Sequence, residues 1–302
     1  MEKKTTVGGQ AVIEGVMMRG SKGLATAVRL SNGKIEVKKE ANESLVKKHK
    51  IFGLPIVRGF ISLIESLIIG IKSLEYSASF FEEEEVSESK FDKWFDKTFK
   101  EKGSSVVMGI SLAISLVFAV LLFFVLPTVL TSVIKKTMTS NFLILNIVEG
   151  IIRVVIFLAY IFLVGKLEDI NRVYQYHGAE HKTIFCYENG IELTPENAQK
   201  FERFHPRCGT NFLFLVMVIS IIIFSFTGWQ SVGQRIVSRI ILLPLVAGIT
   251  YEVIRWLGKS DSKISRIIAW PGLLLQKITT KEPDESMLEV AIISLKAAEG
   301  LE

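Results

Sequence analysis

The stretch YHGAEHKTIFC, from Tyr176 to Cys186, places two histidines four residues apart and a glutamate directly before the second. On a helix, His177 and His181 lie on one face, one turn apart, so both imidazoles can reach a single ion. His-x-x-Glu-His is the reversed form of a zinc-hydrolase motif, in which the glutamate takes a proton from a water that the metal activates. The spacing therefore predicts metal ligation by the histidines and general-base chemistry by Glu180.

Further donor side chains follow within a short distance along the chain. Of four histidines and two cysteines in 302 residues, three histidines and both cysteines fall between positions 177 and 208. The segment FHPRCGTNF supplies His205 and Cys208, and zinc accepts both imidazole and thiolate ligands. Glu252 in ITYEVIRW, 71 residues beyond His181, is a candidate carboxylate ligand from farther along the chain. We predict a divalent metal as the cofactor, with zinc as the first candidate.

Other interpretations of the same residues stay open. One is a structural zinc site with four protein ligands, His177, His181, His205 and Cys208. Such a site would be closed and would exclude hydrolysis, because no position would remain for water. Alternatively, the histidines cap a helix and bond to Glu168, Asp169 or backbone carbonyls. Cys186 is either a nucleophile assisted by His181 or a buried packing residue, as the apolar alternation of TIFCYE favours.

The N-terminal segment GGQAVIEGVMMRG is rich in glycine, but it matches neither a P-loop nor a dinucleotide-binding fingerprint. Its glycines allow backbone amides to approach a ligand closely, or they serve a tight β turn that needs positive φ angles. Glu14 interrupts an apolar strand and is a second candidate catalytic residue. Arg19 and Arg207 are candidates for holding an anionic group of the substrate.

The elements that must position these residues are mainly helical and apolar. The mean hydropathy of the chain is +0.38, and its apolar residues form long runs. A helix needs about 20 apolar residues to cross a bilayer. Four segments approach or exceed this length: Val106 to Ile134, Phe142 to Leu167, Phe212 to Trp229 and Ile236 to Leu257. We therefore predict a mainly α, polytopic membrane protein.

The net charge of +5 does not indicate nucleic-acid binding, because the basic residues of a membrane protein report its topology. With four spans and both termini inside, the two outer loops hold three basic residues and the inner loop from Lys166 to Thr210 holds six. This distribution predicts a multi-pass protein of the cell membrane, with both termini and the histidine-rich loop in the cytoplasm. A cytoplasmic loop also favours reduced cysteines over a disulfide.

Residues 52–76 create an ambiguity in this topology, because they are long and apolar enough to form a fifth span. Arg58, Glu65 and Lys72 recur every seven residues and form a charged stripe with nearby serines. The stripe favours a helix that lies in the membrane interface, since charges inside a bilayer are costly. If the segment crosses the membrane instead, every later loop changes sides.

Composition divides the chain into four segments. They are a glycine-rich β element (1–45), an amphipathic interfacial helix with a charged linker (46–103), a membrane domain (104–260) that contains the metal-site loop (167–210), and an interfacial segment with a soluble C-terminal helix (261–302). Ser31-Asn32-Gly33 predicts a hairpin within the β element. Pro271-Gly272 is expected to bend the last interfacial segment.

Five motifs in this order, GGQAVIEGVMMRG, PIVRG, YHGAEHKTIFCYE, HPRCGT and LPLVAGITYE, resemble the YqhQ-like family of bacterial membrane proteins. The resemblance extends from about Val7 to about Leu295. That family is catalogued as a domain of unknown function and described as predicted metal-dependent enzymes. The resemblance therefore implies a membrane location and a metal, but it brings no substrate or reaction.

These observations predict a zinc-dependent hydrolase at the cytoplasmic membrane surface. The lipid bilayer is its expected partner, and a lipid-linked or membrane-embedded substrate fits the location. Two other functions remain open. One is a non-catalytic membrane scaffold with a structural zinc site. The other is a transporter of ions or small solutes that uses Glu149, Arg153 and Glu252, which are charged residues within predicted spans.

Overall fold

The computed structural model of the chain describes residues 7–41, 44–81, 103–137, 141–226, 231–258, 260 and 262–301. They fall into two compact units. The first unit comprises Met1–Phe80, Tyr160–Ile219 and Leu242–Glu302, and the second comprises Phe81–Ala159 and Ser220–Ile241. Most of the charged linker that the sequence predicts before residue 103 lies outside the described residues.

Helices dominate the described part of the chain, as predicted. In chain order they are α1 (Val57–Ala78), α2 (Gly103–Val120), α3 (Leu126–Thr137), α4 (Phe142–Val164), α5 (Glu168–Glu188), α6 (Pro195–Gln199), α7 (Gly209–Ser225), α8 (Val232–Leu257), α9 (Lys263–Thr279) and α10 (Glu285–Glu299). Two short 3-10 helices, Leu45–Lys47 and Lys50–Gly53, precede α1.

A four-stranded antiparallel sheet begins the first unit. Its strands are β1 (Gly8–Val12), β2 (Gly15–Arg19), β3 (Leu24–Arg29) and β4 (Ile35–Glu40), and each strand pairs with the next one. The predicted hairpin joins β3 to β4. There Gly33 has a φ of 81°, and the side chain of Asn32 accepts a hydrogen bond from the N–H of Lys34. A positive φ favours glycine, which explains the Asn-Gly pair at this turn.

One hydrophobic core joins the sheet to two helices that are far apart in the sequence. Val16 and Met18 of the sheet share this core with Tyr176 and Ile184 of α5 and with Leu288 of α10. A sheet or an amphipathic helix must bury its apolar face against another element, and these three elements bury theirs together. The N-terminal strands and the C-terminal helix therefore belong to one α/β domain with α5, although composition separates them along the chain.

The helix α1 packs its polar side against the N-terminal part of the first unit and leaves its apolar side exposed. Glu65 is 6% exposed and accepts hydrogen bonds from Arg19 and from the N–H of Leu45. Ser77 is fully buried and accepts a bond from the N–H of Ile13. The exposed side carries Ile64, Leu67, Ile68, Ile71 and Leu74. The sequence predicts an interfacial helix for this segment, and such a helix needs an apolar face on its outer side.

The helix α9 is arranged in the same way. Its exposed residues include Ile264, Ile267 and Trp270, whereas Ser265 and Gln276 are buried. The bend expected at Pro271-Gly272 does not end the helix, which runs on to Thr279. Proline removes one backbone hydrogen bond, and the packing of the polar side keeps the rest of the helix in place.

Three described segments are long and apolar enough to cross a membrane: Gly109–Lys135, Leu143–Val164 and Gly233–Leu257. The third predicted span, Phe212 to Trp229, corresponds to α7, which is apolar but has 17 described residues. At 1.5 Å per residue its length is about 26 Å, short of the roughly 30 Å hydrocarbon core of a bilayer. The described structure thus offers three candidate spans where the sequence predicts four, with residues 227–230 outside the described part.

Pro127 lies inside the first candidate span, where the helix continues. A π-helical turn, Leu121–Val125, joins α2 to α3. Proline has no N–H, so the carbonyl of Phe123, four residues earlier, loses its usual helical donor. In the second unit the Nε of Arg153 donates a hydrogen bond to this carbonyl at 2.9 Å. The proline thus provides a backbone acceptor for a buried side chain.

Candidate metal centre

The helix α5 presents His177 and His181 side by side, with 4.5 Å between the ring centroids. The Nδ1 of His177 lies 2.9 Å from the carbonyl oxygen of Thr279, and the Nδ1 of His181 lies 2.5 Å from that of Arg203. A carbonyl oxygen can only accept, so both Nδ1 atoms must carry the proton. In each neutral ring the unprotonated nitrogen is therefore Nε2, the atom that is free to bind a metal.

Cys208 completes a group of three donor atoms. One ligand atom each from His177, His181 and Cys208 lie within 4.8 Å of one another. The Nε2 of His177 is 3.2 Å from the Sγ of Cys208. This sulfur also accepts hydrogen bonds from the backbone N–H and the hydroxyl of Thr210, at 3.4 and 3.3 Å. These two donors fix the position of the sulfur at the beginning of α7, which starts at the next residue.

The separation of one pair of these atoms suits a tetrahedral zinc ion. Ligands at zinc distances of about 2.0 to 2.3 Å lie about 3.5 Å from one another, which is close to the His177–Cys208 separation. The site is neither fully buried nor open: His181 is 1% exposed, whereas His177 and Cys208 are partly exposed. Burial lowers the pKa of His181 and so keeps its ring in the neutral form that binds metal.

Glu180 lies next to this group but contacts a different element. Its side chain is buried and accepts a hydrogen bond from the backbone N–H of Gly9 in β1. A Cβ at position 9 would lie 2.6 Å from the carbonyl oxygen of Met17 and 3.1 Å from the Cδ of Glu180, so only glycine allows this approach. Burial raises the pKa of Glu180 to about 7, although His177 and the Gly9 N–H act in the opposite direction.

The structure does not bring His205 into the group of donor atoms. Its Nδ1 accepts a hydrogen bond from the N–H of Arg207 at 3.3 Å, and its Nε2 lies 3.8 Å from a carboxylate oxygen of Glu188. Burial is the main cause that lowers the pKa of His205. Among the described residues, His205 is therefore absent from the converging donor group, although its ring centroid lies 5.5 Å from that of His181, and the closed four-ligand site stays a prediction.

Gln276 holds the segment that carries Cys208, and the sequence analysis did not identify it. This residue is fully buried in α9. Its amide oxygen accepts from the N–H of His205 at 2.7 Å, and its amide nitrogen donates to the carbonyl of His205 at 2.8 Å. A glutamine inside the apolar segment RIIAWPGLLLQKI was the available signal, because a buried amide needs partners.

Replacement of Gln276 by alanine is expected to reduce the free energy of unfolding by about 2 to 6 kcal/mol. The variant leaves the buried N–H and carbonyl of His205 without partners, at about 1 to 3 kcal/mol each. Chemical unfolding of purified protein, followed by circular dichroism, measures the change. Gln175→Ala is the control, because that side chain makes one exposed bond at 3.3 Å. Equal stability of the two variants would contradict the role of Gln276.

Glu252 is bound elsewhere. Its carboxylate forms a two-point ion pair with the guanidinium of Arg58 in α1, with distances of 2.6 and 2.5 Å. This pair uses both carboxylate oxygens, and Glu252 is absent from the described group of converging donors. The prediction of Glu252 as a metal ligand is therefore replaced by a contact between α8 and α1. The position of Glu252 near the end of a predicted span was a weak basis for predicting a metal ligand, because position along a helix does not specify which group the carboxylate binds.

The remaining predicted site residues also form ion pairs. Glu14 lies in the turn after β1 with a φ of 48°. Its carboxylate accepts hydrogen bonds from the Nε and the Nη2 of Arg172. Arg19 pairs with Glu65, as described above. Arg207 precedes Cys208 in the chain, but its guanidinium contacts Glu188. The structure brings none of the three to the converging donor atoms, and it gives Glu14 a contact with α5.

Cys186 is a packing residue by its surroundings. Its side chain is fully buried in the core of the first unit. The thiol lies 3.7 and 3.5 Å from the carbonyls of Ile191 and Glu192. Burial raises its pKa, which disfavours the thiolate that a nucleophile needs.

Gly178 stands between the two histidines where another segment crosses α5. A Cβ at this position would overlap the carbonyl oxygen of Lys281. The N–H of Lys281 donates to the carbonyl of Tyr174 at 2.9 Å, so the crossing segment is tied to the helix. This segment follows Thr279 directly, and the close approach places the Thr279 carbonyl at His177.

Substitution of Gly178 by alanine is expected to destabilise the fold by about 1 to 3 kcal/mol, because the crossing segment must move away. The better helix propensity of alanine, about 1 kcal/mol, offsets part of this cost. Thermal unfolding of the two proteins gives the difference. Gly109→Ala is the matched control, since a Cβ there meets nothing within 4 Å. A Gly178→Ala protein as stable as the control would contradict this description of the crossing.

The fold and the site define a class of protein. It is mainly helical, has helices of membrane-spanning length and a small N-terminal sheet, and carries two histidines and a cysteine that could hold a metal ion. Residues 54–300 match the family described as "Protein of unknown function (DUF1385)", and the chain belongs to this family.

A relative is known from Bacillus subtilis (strain 168), where it is named "Uncharacterized protein YqhQ". The two chains are 33% identical over 304 residues, which cover 98% of this chain and 92% of the relative. This similarity confirms the family resemblance predicted from the five motifs. No solved structure matches the chain.

Proposed function

We propose that the chain is a membrane-associated, zinc-dependent hydrolase whose metal ligands are His177, His181 and Cys208. One observation carries the proposal: each histidine donates its Nδ1–H to a backbone carbonyl and keeps Nε2 for the group that includes the cysteine sulfur. Metal-binding histidines in proteins use their second ring nitrogen in this way. Three protein ligands also leave one tetrahedral position for water or substrate, as catalytic zinc sites require.

A bound zinc ion would supply Lewis acidity for activating water and polarising a carbonyl or phosphoryl group. The residues of the chain would do the rest. Glu180, one residue before a ligand, would accept a proton from water and pass it to the leaving group. The N–H of Gly9 would hold the carboxylate of Glu180 in a fixed position. Thr279 and Arg203 would keep the imidazoles oriented through their carbonyls.

The location of this activity is proposed from two helices of the first unit. Both α1 and α9 bury polar side chains and expose apolar ones, which suits the boundary between water and lipid. The Thr279 carbonyl at the end of α9 contacts His177, so the metal centre lies at the end of one of these helices. A lipid-linked or membrane-embedded substrate fits this arrangement, and the bilayer would be the partner of the apolar faces.

Elemental analysis of the purified full-length protein is the first test. We expect about one zinc ion per chain, retained through gel filtration. Hydrolysis is then measured with 4-nitrophenyl acetate, bis(4-nitrophenyl) phosphate and fluorescently labelled casein, each with and without phospholipid vesicles. Removal of zinc by a chelator should abolish hydrolysis of the active probe, and added zinc should restore it.

Two outcomes would contradict the proposal. Protein that binds no transition metal under any of these conditions would exclude a metal-dependent activity. Protein that holds zinc, hydrolyses none of the probes and unfolds when zinc is removed would fit the scaffold with a structural zinc site instead.

A further inference from the structure

The described part of the second unit contains a buried cluster of three arginines and one glutamate. Glu149 is 1% exposed, Arg235 is 4%, Arg239 is 3% and Arg153 is 8%. Among the residues of this unit that the structure describes, Glu149 is the one acidic side chain. Three guanidinium groups therefore face a single carboxylate among the described residues of this unit.

The carboxylate of Glu149 is already saturated with donors. Arg239 binds both of its oxygens, Arg235 donates at 3.1 Å, and Arg153 donates at 3.3 Å. The hydroxyl of Thr128 adds a bond at 2.8 Å. The Glu149 carboxylate therefore cannot neutralise more than one of the arginines. Charges in an apolar interior are costly unless they are paired.

Donor groups in the same cluster lack protein acceptors. The Nε of Arg239 and the Nδ2 of Asn146 are buried without a hydrogen-bond partner among the described residues. Asn146 is 5% exposed and lies three residues before Glu149, hence on the same side of α4. Buried polar groups in folded proteins nearly always have partners, so these two donors are available for an acceptor outside the described residues.

The position of these residues along the helices suits an anion at a membrane surface. Arg239 is six residues, or about 9 Å, from the beginning of the candidate span Gly233–Leu257. Thr128 is seven residues, or about 10 Å, from the end of the span Gly109–Lys135. Arg235 and Ser132, which share a hydrogen bond at 2.9 Å, lie nearer to these helix ends. The cluster thus extends inward from one end of two spans.

We propose that this cluster binds a phosphate-type anion, with Arg235 and Arg239 as its principal contacts. Guanidinium groups bind phosphate through paired hydrogen bonds. A phosphate also carries one or two negative charges, which would balance guanidinium groups that Glu149 alone does not balance. The anion is either the head group of an anionic phospholipid or free inorganic phosphate. The site is independent of the metal centre, because it shares no residue with it.

Thermal unfolding of the full-length protein in a neutral detergent tests the free anion. Inorganic phosphate should raise the unfolding temperature of the wild type by about 2 to 4 °C more than sodium chloride at equal ionic strength. Native mass spectrometry tests the lipid. Phosphatidylglycerol should be retained about tenfold more than zwitterionic phosphatidylcholine, because only the former carries a net negative charge.

The variants separate anion binding from a purely structural ion pair. Arg239→Gln should remove most of the phosphate effect and of the lipid retention. Glu149→Gln should increase both, since it raises the excess charge of the cluster. The double variant Glu149→Gln/Arg239→Gln has the same net charge as the wild type but lacks one of the two principal contacts, so its response should lie between those of the two single variants. Arg266→Gln, which removes a charge from an exposed position of α9, is the control and should change neither response.

The phosphate response and the lipid retention of the wild-type protein test the proposal even if a variant fails to fold. Stabilisation by phosphate alone identifies the free anion, retention of phosphatidylglycerol alone identifies the lipid, and both together show that the site accepts either source. Equal effects of phosphate and chloride, together with equal retention of the two lipids, would overturn the proposal. So would folded Arg239→Gln protein with an unchanged response to phosphate and phosphatidylglycerol.

Discussion

Glu180→Gln protein is expected to keep its zinc and to hydrolyse the active probe about 100 to 10,000 times more slowly than the wild type. A general base contributes a factor of this size, and glutamine cannot accept the proton. The exchange is nearly isosteric, and the amide oxygen of glutamine can still accept the bond from the Gly9 N–H. Zinc content by elemental analysis and kcat by steady-state kinetics are measured on the same preparation.

Glu168→Gln is the control for this experiment, since Glu168 lies in the first turn of the same helix and is exposed. That variant should retain both zinc and activity. Loss of zinc together with activity in Glu180→Gln would assign Glu180 to metal binding or to folding. Full activity with zinc retained would remove Glu180 from the mechanism, while the metal centre itself would stand.

Loss of any one of the three proposed ligands is expected to have the second large effect. His177→Ala, His181→Ala and Cys208→Ser should each weaken zinc binding by at least about a hundredfold. Mutation of groups that only support a ligand already costs about 10- to 100-fold, and a ligand contributes more. Competition with a chromogenic zinc chelator measures the affinity, and elemental analysis gives the zinc content of the purified variants.

The chain supplies matched controls for both residue types. His49→Ala removes an exposed histidine, and Cys186→Ser alters a thiol that lies outside the donor group. Both should bind zinc like the wild type. His205→Ala tests the closed site directly: zinc affinity close to that of the wild type supports three ligands and an open position. Loss of zinc in His205→Ala, with zinc retained in Cys208→Ser, would exchange the roles of these two residues.

The two proposed sites make different demands on the chain. At the candidate metal centre, backbone carbonyls orient the two imidazoles, and the first unit supplies every group involved. In the buried cluster of the second unit, three described guanidinium groups surround the carboxylate of Glu149, and we propose that an external anion joins them. Chelation of zinc should therefore leave the phosphate response unchanged, and substitution at Arg239 should leave the zinc content unchanged.

Local sequence patterns predicted the parts of the structure that depend on helix and strand geometry. The four-residue spacing of His177 and His181 put both rings on one face of α5, because a helix turns every 3.6 residues. The Asn-Gly pair marked the β3–β4 turn, since that turn requires a positive φ. The stripe of Arg58, Glu65 and Lys72 marked α1. Long apolar runs marked the candidate spans, although α7 is shorter than its run suggested.

The choice among chemically equivalent donors could not be made from the sequence. His205 and Cys208 are both acceptable zinc ligands, three residues apart, and only Cys208 joins the described donor group. Gln276, 71 residues after His205, binds the backbone of His205, and the ring of His205 lies against the N–H of Arg207 and the carboxylate of Glu188. Glu252 was a reasonable carboxylate ligand until Arg58, 194 residues earlier, was found to bind it. Such pairings follow from packing, which residue spacing does not encode.

Taken by itself, the sequence determined which residue types are available, which of them share a helix face, and which segments are apolar. Those properties are local, because they follow from side-chain chemistry and from the repeat of a helix or strand. The tertiary structure decided the rest: β1 meets α5 at Gly9, α10 closes the core of the sheet, and Arg235 and Arg239 converge on Glu149. These contacts arise from the burial of apolar faces against one another, and that burial joins residues at any separation along the chain.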